Sequence, residues 1–354
     1  YINLPIETSL NWHIYEMIFG VGTAMIGAFF LTGLPELFPG VIPIVGKHLA
    51  FIVVWWVLGR FSFWFMDYFG IFFTGFINIS LTAYISYLAA IPAFRDRNKR
   101  HTSLAYSMVS IVIIQTIFFL SESEILNIDS YKILLLSMIL FLVLILLALR
   151  RVSMESINEL LNQENISEIF LAKSFRYNLA IFCLLLYGFV ELFFPNNSTL
   201  AYICFACGSA TFALLNDFVL KENNILFKTF VLYIISTISI TAIGFFFLGF
   251  NYLFELNIRN HFRHFLTTGT YGLVFYIVMI IISTIHTGRK IFTNIWLNLG
   301  VLLIILATFI RSFIPFYEEY VIQAYIISSI LWTIPFVIYM KIFIPFLLSP
   351  RADG

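Results

Sequence analysis

Charge is scarce in this chain. Only 11% of its 354 residues are Asp, Glu, Lys or Arg, against about 25% in an ordinary soluble domain. That deficit excludes a water-soluble globular protein, and no basic patch exists for a nucleic acid to bind. Cysteine is nearly missing as well. Cys183, Cys204 and Cys207 all lie inside apolar runs, and an odd number gives no disulfide framework. Cys204 and Cys207 form a C-x-x-C pair, but Gly208 follows where a c-type haem motif needs histidine. Two small packing residues is the plainer reading. There is no phosphate-binding glycine loop, no G-x-S-x-G and no carboxylate ladder of the kind a proton pump uses.

What is present is apolar bulk: 61% hydrophobic residues, 19% aromatic and a mean hydropathy of +0.95. The expected fold is all-α, a polytopic transmembrane helical bundle forming one integral membrane domain over 1–354. Runs long enough to cross a bilayer fall at 14–34, 48–66, 69–92, 103–121, 131–149, 177–194, 199–219, 226–250, 265–285, 291–311 and 320–341. That is eleven spans. The second is interrupted by charge, with Lys47, His48 and Arg60 around a short apolar stretch.

Alternation of eleven spans collects the basic clusters on one side: Arg95, Arg97, Lys99 and Arg100; Arg150 and Arg151; Lys173 and Arg176; Lys221 and Lys228; Arg289 and Lys290. With Lys47, Lys341 and Arg351, fifteen of the 20 lysines and arginines lie there. The positive-inside rule makes that side cytoplasmic, which places Tyr1 outside and Gly354 inside. A chain that starts in the cytoplasm then needs one more span before Tyr1, twelve in the full chain. The longest internal loop, 152–176, reads as a cytoplasmic surface loop or as an amphipathic helix along the membrane, from the periodicity of Ile157, Leu160, Leu161, Ile166, Ile169 and Phe170.

Six histidines remain to be placed. His13 and Glu16 share a helix face at the outer start of the first span. A histidine with a carboxylate one turn away suits a metal ligand and its orienting partner, or two interfacial groups in water. His261 and His264 stand at i and i+3 at the outer entry of the ninth span, and imidazoles serve iron, copper and zinc alike. At 1.5 Å per residue, His286 lies roughly 33 Å from His264, at the opposite membrane face. It is a ligand for a second centre or a helix cap. Arg60 could pair with Glu16, with Asp67 or with a haem propionate, and Arg311 has the same options; snorkelling is the alternative for both. His48 and His101 sit among basic residues and read as interfacial. No residue stands out as catalytic.

Three stretches, Trp12-His13-x-x-Glu16-Met17-x-Phe19-Gly20, Gly27-x-x-x-Leu31-Thr32-x-x-Pro35 and Trp56-x-x-Gly59-Arg60, resemble the amino-terminal signature of the NnrS family. Arg263-His264-x-Leu266-Thr267-x-Gly269, His286-Thr287-Gly288-Arg289 and the ending Pro350-Arg351-Ala352-Asp353-Gly354 resemble its carboxy-terminal signature. The resemblance implies a bacterial inner-membrane protein of about twelve spans, with b-type haem and copper, tied to nitric oxide metabolism and resistance to nitrosative stress. It makes His13, His264 and His286 the best candidates for cofactor ligands, with Glu16 and Arg60 as supporting groups; the placement of His13, Glu16, His261 and His264 on one membrane face separately makes those four the candidate metal donors. Three departures point to one centre rather than two: Tyr15 stands where the family carries a second histidine, Ile281 where an arginine is expected, and Arg150-Arg151-Val152-Ser153 replaces a longer mid-chain motif. The alternatives are a transporter, a metal- or haem-handling factor, or an accessory subunit partnering a respiratory membrane complex.

Overall fold

In a computed structural model, residues 9–38, 40–96, 101–219, 226–292 and 294–353 are described. All regular structure among them is helical. The main helices are α1 (Ser9–Tyr15), α2 (Gly22–Leu37), α3 (Gly46–Trp64), α4 (Met66–Phe69), α5 (Ile71–Arg95), α6 (Thr102–Glu122), α7 (Ser130–Gln163) and α8 (Ser174–Phe193). They continue as α9 (Thr199–Phe212), α10 (Thr229–Leu253), α11 (Arg259–His264), α12 (Gly272–His286), α13 (Ile295–Phe313) and α14 (Val321–Leu347). Two π-helical segments, Glu16–Val21 and Phe265–Tyr271, join α1 to α2 and α11 to α12.

Ten helical stretches are long and apolar enough to cross a membrane, and they coincide with ten of the eleven expected runs. The chain is therefore built as a multi-pass membrane protein. The remaining run, 48–66, does form a helix, α3, but is not among the ten. Its Lys47, His48 and Arg60, near the two ends of the helix, lower the mean hydropathy of the stretch. Four of the basic residues used to orient the chain, Arg97, Lys99, Arg100 and Lys221, lie outside the described residues.

The chain forms two compact units, Tyr1–Leu144 and Ile145–Gly354. In the first, α5 packs on α6, α3 and α2. Its buried face repeats at helical spacing through Thr74, Asn78, Thr82, Ser86, Ala89 and Ala93, while Phe72, Phe76 and Tyr87 are exposed. Small residues inside and large apolar ones outside is how helices associate in lipid, where the gain comes from close backbone approach.

In the second unit, α10 packs on α9, α9 on α8, and α13 on α14. Cys204 and Cys207 are free and fully buried on α9. Near them Gly208 brings α9 so close to α10 that an added Cβ would lie 3.1 Å from the Ala242 carbonyl. The pair therefore sits in tight helix packing. Past Leu149, α7 runs on to Gln163 without a break, with Val152, Ile157, Leu160 and Leu161 buried. The segment that follows folds back on it: the Asn158 side chain donates to the Phe170 carbonyl at 3.1 Å and accepts from the Phe170 N–H at 2.8 Å. The first half of 152–176 is thus the last turns of a 34-residue helix.

Candidate functional site

Both π segments begin within one turn of a candidate histidine. A π turn carries one extra residue, so its hydrogen-bond ladder is broken locally and a carbonyl is released. Each segment has one such carbonyl taken by a tryptophan from another helix. The Trp56 indole N–H donates to the Gly20 carbonyl at 2.9 Å, and the Trp332 indole N–H donates to the Thr268 carbonyl at 3.2 Å.

In the first unit, the π segment starts at Glu16. Of the partners open to Arg60, Glu16 is the one it pairs with: Nη1 donates to Glu16 Oε1 at 2.8 Å. The other guanidinium nitrogen donates to the Asn78 side-chain carbonyl, whose amide in turn donates to the Gly59 and Thr74 carbonyls at 3.2 and 2.9 Å. Glycine at 20 makes room for this pair, since an added Cβ would lie 2.5 Å from Glu16 Oε2 and 2.8 Å from Arg60 Nη1. The Glu16 carboxylate is thus engaged by Arg60, and His13 lies on the exposed side of α1. Tyr15 is fully buried, its ring stacked on Phe63 at 4.1 Å and Phe118 at 4.8 Å, and its hydroxyl accepts from Gln115 at 2.9 Å. It is a core residue where the resemblance leads one to expect a ligand.

In the second unit, α11 carries His261, Arg263 and His264 within a single turn. Arg263 points inward to Glu191 on α8, with Nη2 2.5 Å from Glu191 Oε1. The same oxygen accepts from the Tyr187 hydroxyl at 2.7 Å and the Tyr252 hydroxyl at 2.9 Å. Arg263 also donates to the Asn260 side chain. Both charges are nearly sealed from solvent, and a buried pair of this kind stands only when its remaining hydrogen bonds are supplied. Glu191, Tyr187, Tyr252 and Asn78 were not singled out by the sequence. The available signal was Glu191 itself, a lone carboxylate in an apolar run with Tyr187 one turn before it. It lies close enough to the end of the run to pass for an interfacial group.

His264 is half-buried at the start of the π segment. Its Nδ1 lies 3.5 Å from the Thr267 hydroxyl, and its Nε2 3.4 Å from Arg311 Nε on α13. Arg311 lies over the Tyr325 ring at 3.6 Å. His261 stands edge-on to Phe316 with ring centroids 5.8 Å apart.

His286 ends α12, and its motif is a helix terminator. Gly288 takes the left-handed φ of 69° that glycine adopts without strain. Its N–H bonds the Ile285 carbonyl at 3.0 Å, and the Arg289 N–H bonds the Thr284 carbonyl at 3.1 Å, the two bonds of a Schellman cap. The C-terminal tail supplies the rest. Arg351 donates to the His286 carbonyl at 3.2 Å, and the Ala352 N–H to the Thr287 carbonyl at 3.0 Å. Arg351 also holds Asp353, lowering its carboxyl below the usual range through their hydrogen bonds. Gly288→Ala should lower the thermal midpoint of the detergent-purified protein by several degrees. The added methyl meets the Asp353 carboxylate and forces a positive φ on alanine, about 1–2 kcal/mol on its own. An unchanged midpoint would show that the cap carries no weight.

His48 Nε2 is 2.7 Å from the Tyr84 hydroxyl, and His101 stands edge-on to Phe38 at 5.3 Å. No group of three or more His, Cys, Asp or Glu that could hold a metal ion occurs among the described residues. The candidate donors His261 and His264 share one short helix, whereas Glu16 is engaged by Arg60.

No curated protein and no solved structure matches the chain. A protein-family model described as "NnrS protein" matches residues 2–351, nearly the whole length. The match takes in both π segments, the two Arg–Glu pairs and the capped end of α12, and the chain belongs to the NnrS family.

Proposed function

We propose that this is a haem-binding protein of the bacterial inner membrane that takes up nitric oxide and serves nitric oxide metabolism or resistance to nitrosative stress. The observation that carries the reading is His264. It is half-buried, fixed at the start of a π turn, with Nδ1 against the Thr267 hydroxyl and Nε2 directed away from its own helix toward Arg311. A metal-ligating imidazole is oriented in this way, one ring nitrogen held by the protein, and His264 would hold the group through the other. A haem iron with one protein ligand supplies an open position for nitric oxide. Thr267 would hold the ring plane, the Arg263–Glu191 pair would hold the turn that carries His264, and Arg311 would stand at the ligating nitrogen. The donors do not fit a copper centre, which needs several imidazole or thiolate ligands converging, and no step is assigned to copper.

In this reading α3 is an eleventh crossing, its Arg60 neutralised by Glu16, and the lipid bilayer surrounds the bundle. Tyr1 faces the periplasm and the C-terminus the cytoplasm. The test is the absorption spectrum of detergent-purified protein, oxidised and reduced, with iron and copper analysis on the same sample. The expected result is a Soret band that shifts on adding nitric oxide and is lost in His264→Ala. Protein from a haem-sufficient host with neither Soret band nor iron would overturn the reading.

A further inference from the structure

Arg311 is a cation in an apolar span whose hydrogen bonding goes to an imidazole. Its Nε donates to His264 Nε2 at 3.4 Å, and its guanidinium lies 3.6 Å above the Tyr325 ring. Among the described residues no carboxylate forms an ion pair with it. Arg60, Arg263 and Arg176 have one, in Glu16, Glu191 and Asp217, and Arg150 and Arg259 donate to neutral oxygens, the Ala172 and Pro195 carbonyls among them; Arg311 instead donates to the ring nitrogen of a candidate ligand. A cation taken out of water is costly unless an anion meets it, and the face of a phenol compensates only part of that cost. Arg311 is also planar and forked, the shape that binds a carboxylate through two parallel hydrogen bonds.

The contact with His264 adds a second constraint. An imidazole nitrogen that accepts a hydrogen bond from a guanidinium has its lone pair engaged, and the ring is neutral with its proton on Nδ1, toward Thr267. A metal can use Nε2 only when Arg311 leaves it. An anion can use Arg311 fully only when the guanidinium turns from His264. Both conditions are met at once by a ligand that carries a Lewis-acidic metal and a carboxylate on one rigid frame.

We propose that Arg311 is the carboxylate anchor of the ligand that His264 holds, and that in the free protein it rests on the ligating nitrogen as a displaceable plug. The ligand class is a metal tetrapyrrole with free acid side chains. Binding exchanges the Arg311–His264 hydrogen bond for a metal–nitrogen bond and an arginine–carboxylate pair, with no net change in the number of paired groups. The site would discriminate against bare metal ions, which can take His264 but offer Arg311 nothing. This inference rests on haem binding at His264.

The test compares binding of ferric protoporphyrin IX with that of its dimethyl ester, which has the same metal and ring but no carboxylate. Wild-type protein should bind the free acid about ten- to a hundredfold more tightly than the ester. Arg311→Gln should bind both alike, and Arg311→Lys, which keeps the charge, should retain part of the preference. In the ligand-free protein, the ¹⁵N spectrum of His264 should show an accepting Nε2 in wild type and lose that signature in Arg311→Gln. Equal affinity of wild type for acid and ester, or a preference that survives in Arg311→Gln, would overturn the proposal while leaving haem at His264 intact. Preference lost together with retained anionic phospholipid in native mass spectra would assign Arg311 to a lipid headgroup and overturn it too. Haem binding unaffected by His264→Ala would remove the underlying reading instead.

Discussion

Arg263→Leu should be the most damaging single substitution in the second unit, lowering stability by about 3–5 kcal/mol. The change leaves Glu191 buried with its charge, facing only two phenol hydroxyls. Neither phenol supplies positive charge, so the carboxylate must take up a proton or draw in water. Glu191→Gln should cost less, because the amide keeps an oxygen for Arg263 and the two tyrosines, although it leaves the buried guanidinium without its counter-ion. The double variant Arg263→Leu/Glu191→Leu should recover a substantial part of the loss, since replacing both partners of a buried pair with apolar groups is far milder than removing one. Thermal unfolding of all variants in one detergent, analysed as a double-mutant cycle, reads the coupling directly. Additive single losses would mean that the pair is not coupled.

The second large effect should come from shortening a π turn. Deleting Thr268 removes the extra residue of Phe265–Tyr271 and lets the chain continue as an ordinary α-helix from α11 into α12. The helix itself would lose nothing, and its hydrogen-bond ladder would improve. Everything before the deletion, however, would turn by about 100° and shift by about 1.5 Å relative to α12. Arg263 would leave Glu191, His264 would leave Thr267 and Arg311, and the Trp332 indole would lose its carbonyl. The expected result is protein that retains helical content by circular dichroism but has a lowered midpoint and no His264-dependent haem binding. Thr268→Ala keeps the length and the Thr268 carbonyl, and should stay close to wild type. Equal behaviour of deletion and substitution would show that the π turn is incidental.

The course of the spans is readable from hydropathy because a bilayer imposes one length and one polarity on every crossing. α3 tests that rule at its edge, since its Lys47, His48 and Arg60 interrupt an otherwise apolar helix. The end of α7 escapes it. Hydropathy falls at Arg150 and Arg151, yet the helix continues because its apolar face, from Val152 to Leu161, is buried. The partner of Arg60 could be named as one of three from sequence, because Glu16 and Arg60 both sit at the outer ends of their spans. The partner of Arg263 could not. Glu191 is 72 residues away, and nothing local links the two. The π turns left no compositional trace either, because an extra residue in a helix alters direction without altering polarity. What singled out His264 was its place in the chain. Its hydrogen-bond partners are Thr267, three residues on, and Arg311, 47 residues on, and the second of these could not be read locally.

The indole contacts have a consequence for inheritance. A π turn behaves like a dislocation in a crystal. Left alone, it can slip along its helix one residue at a time, and each slip re-aims every side chain ahead of it. A tryptophan anchored in another helix pins the dislocation at one carbonyl, Gly20 in the first unit and Thr268 in the second. The aim of each histidine-bearing turn is therefore recorded in a residue far along the chain, and a change at Trp56 or Trp332 would free the turn to slip although its own sequence is untouched.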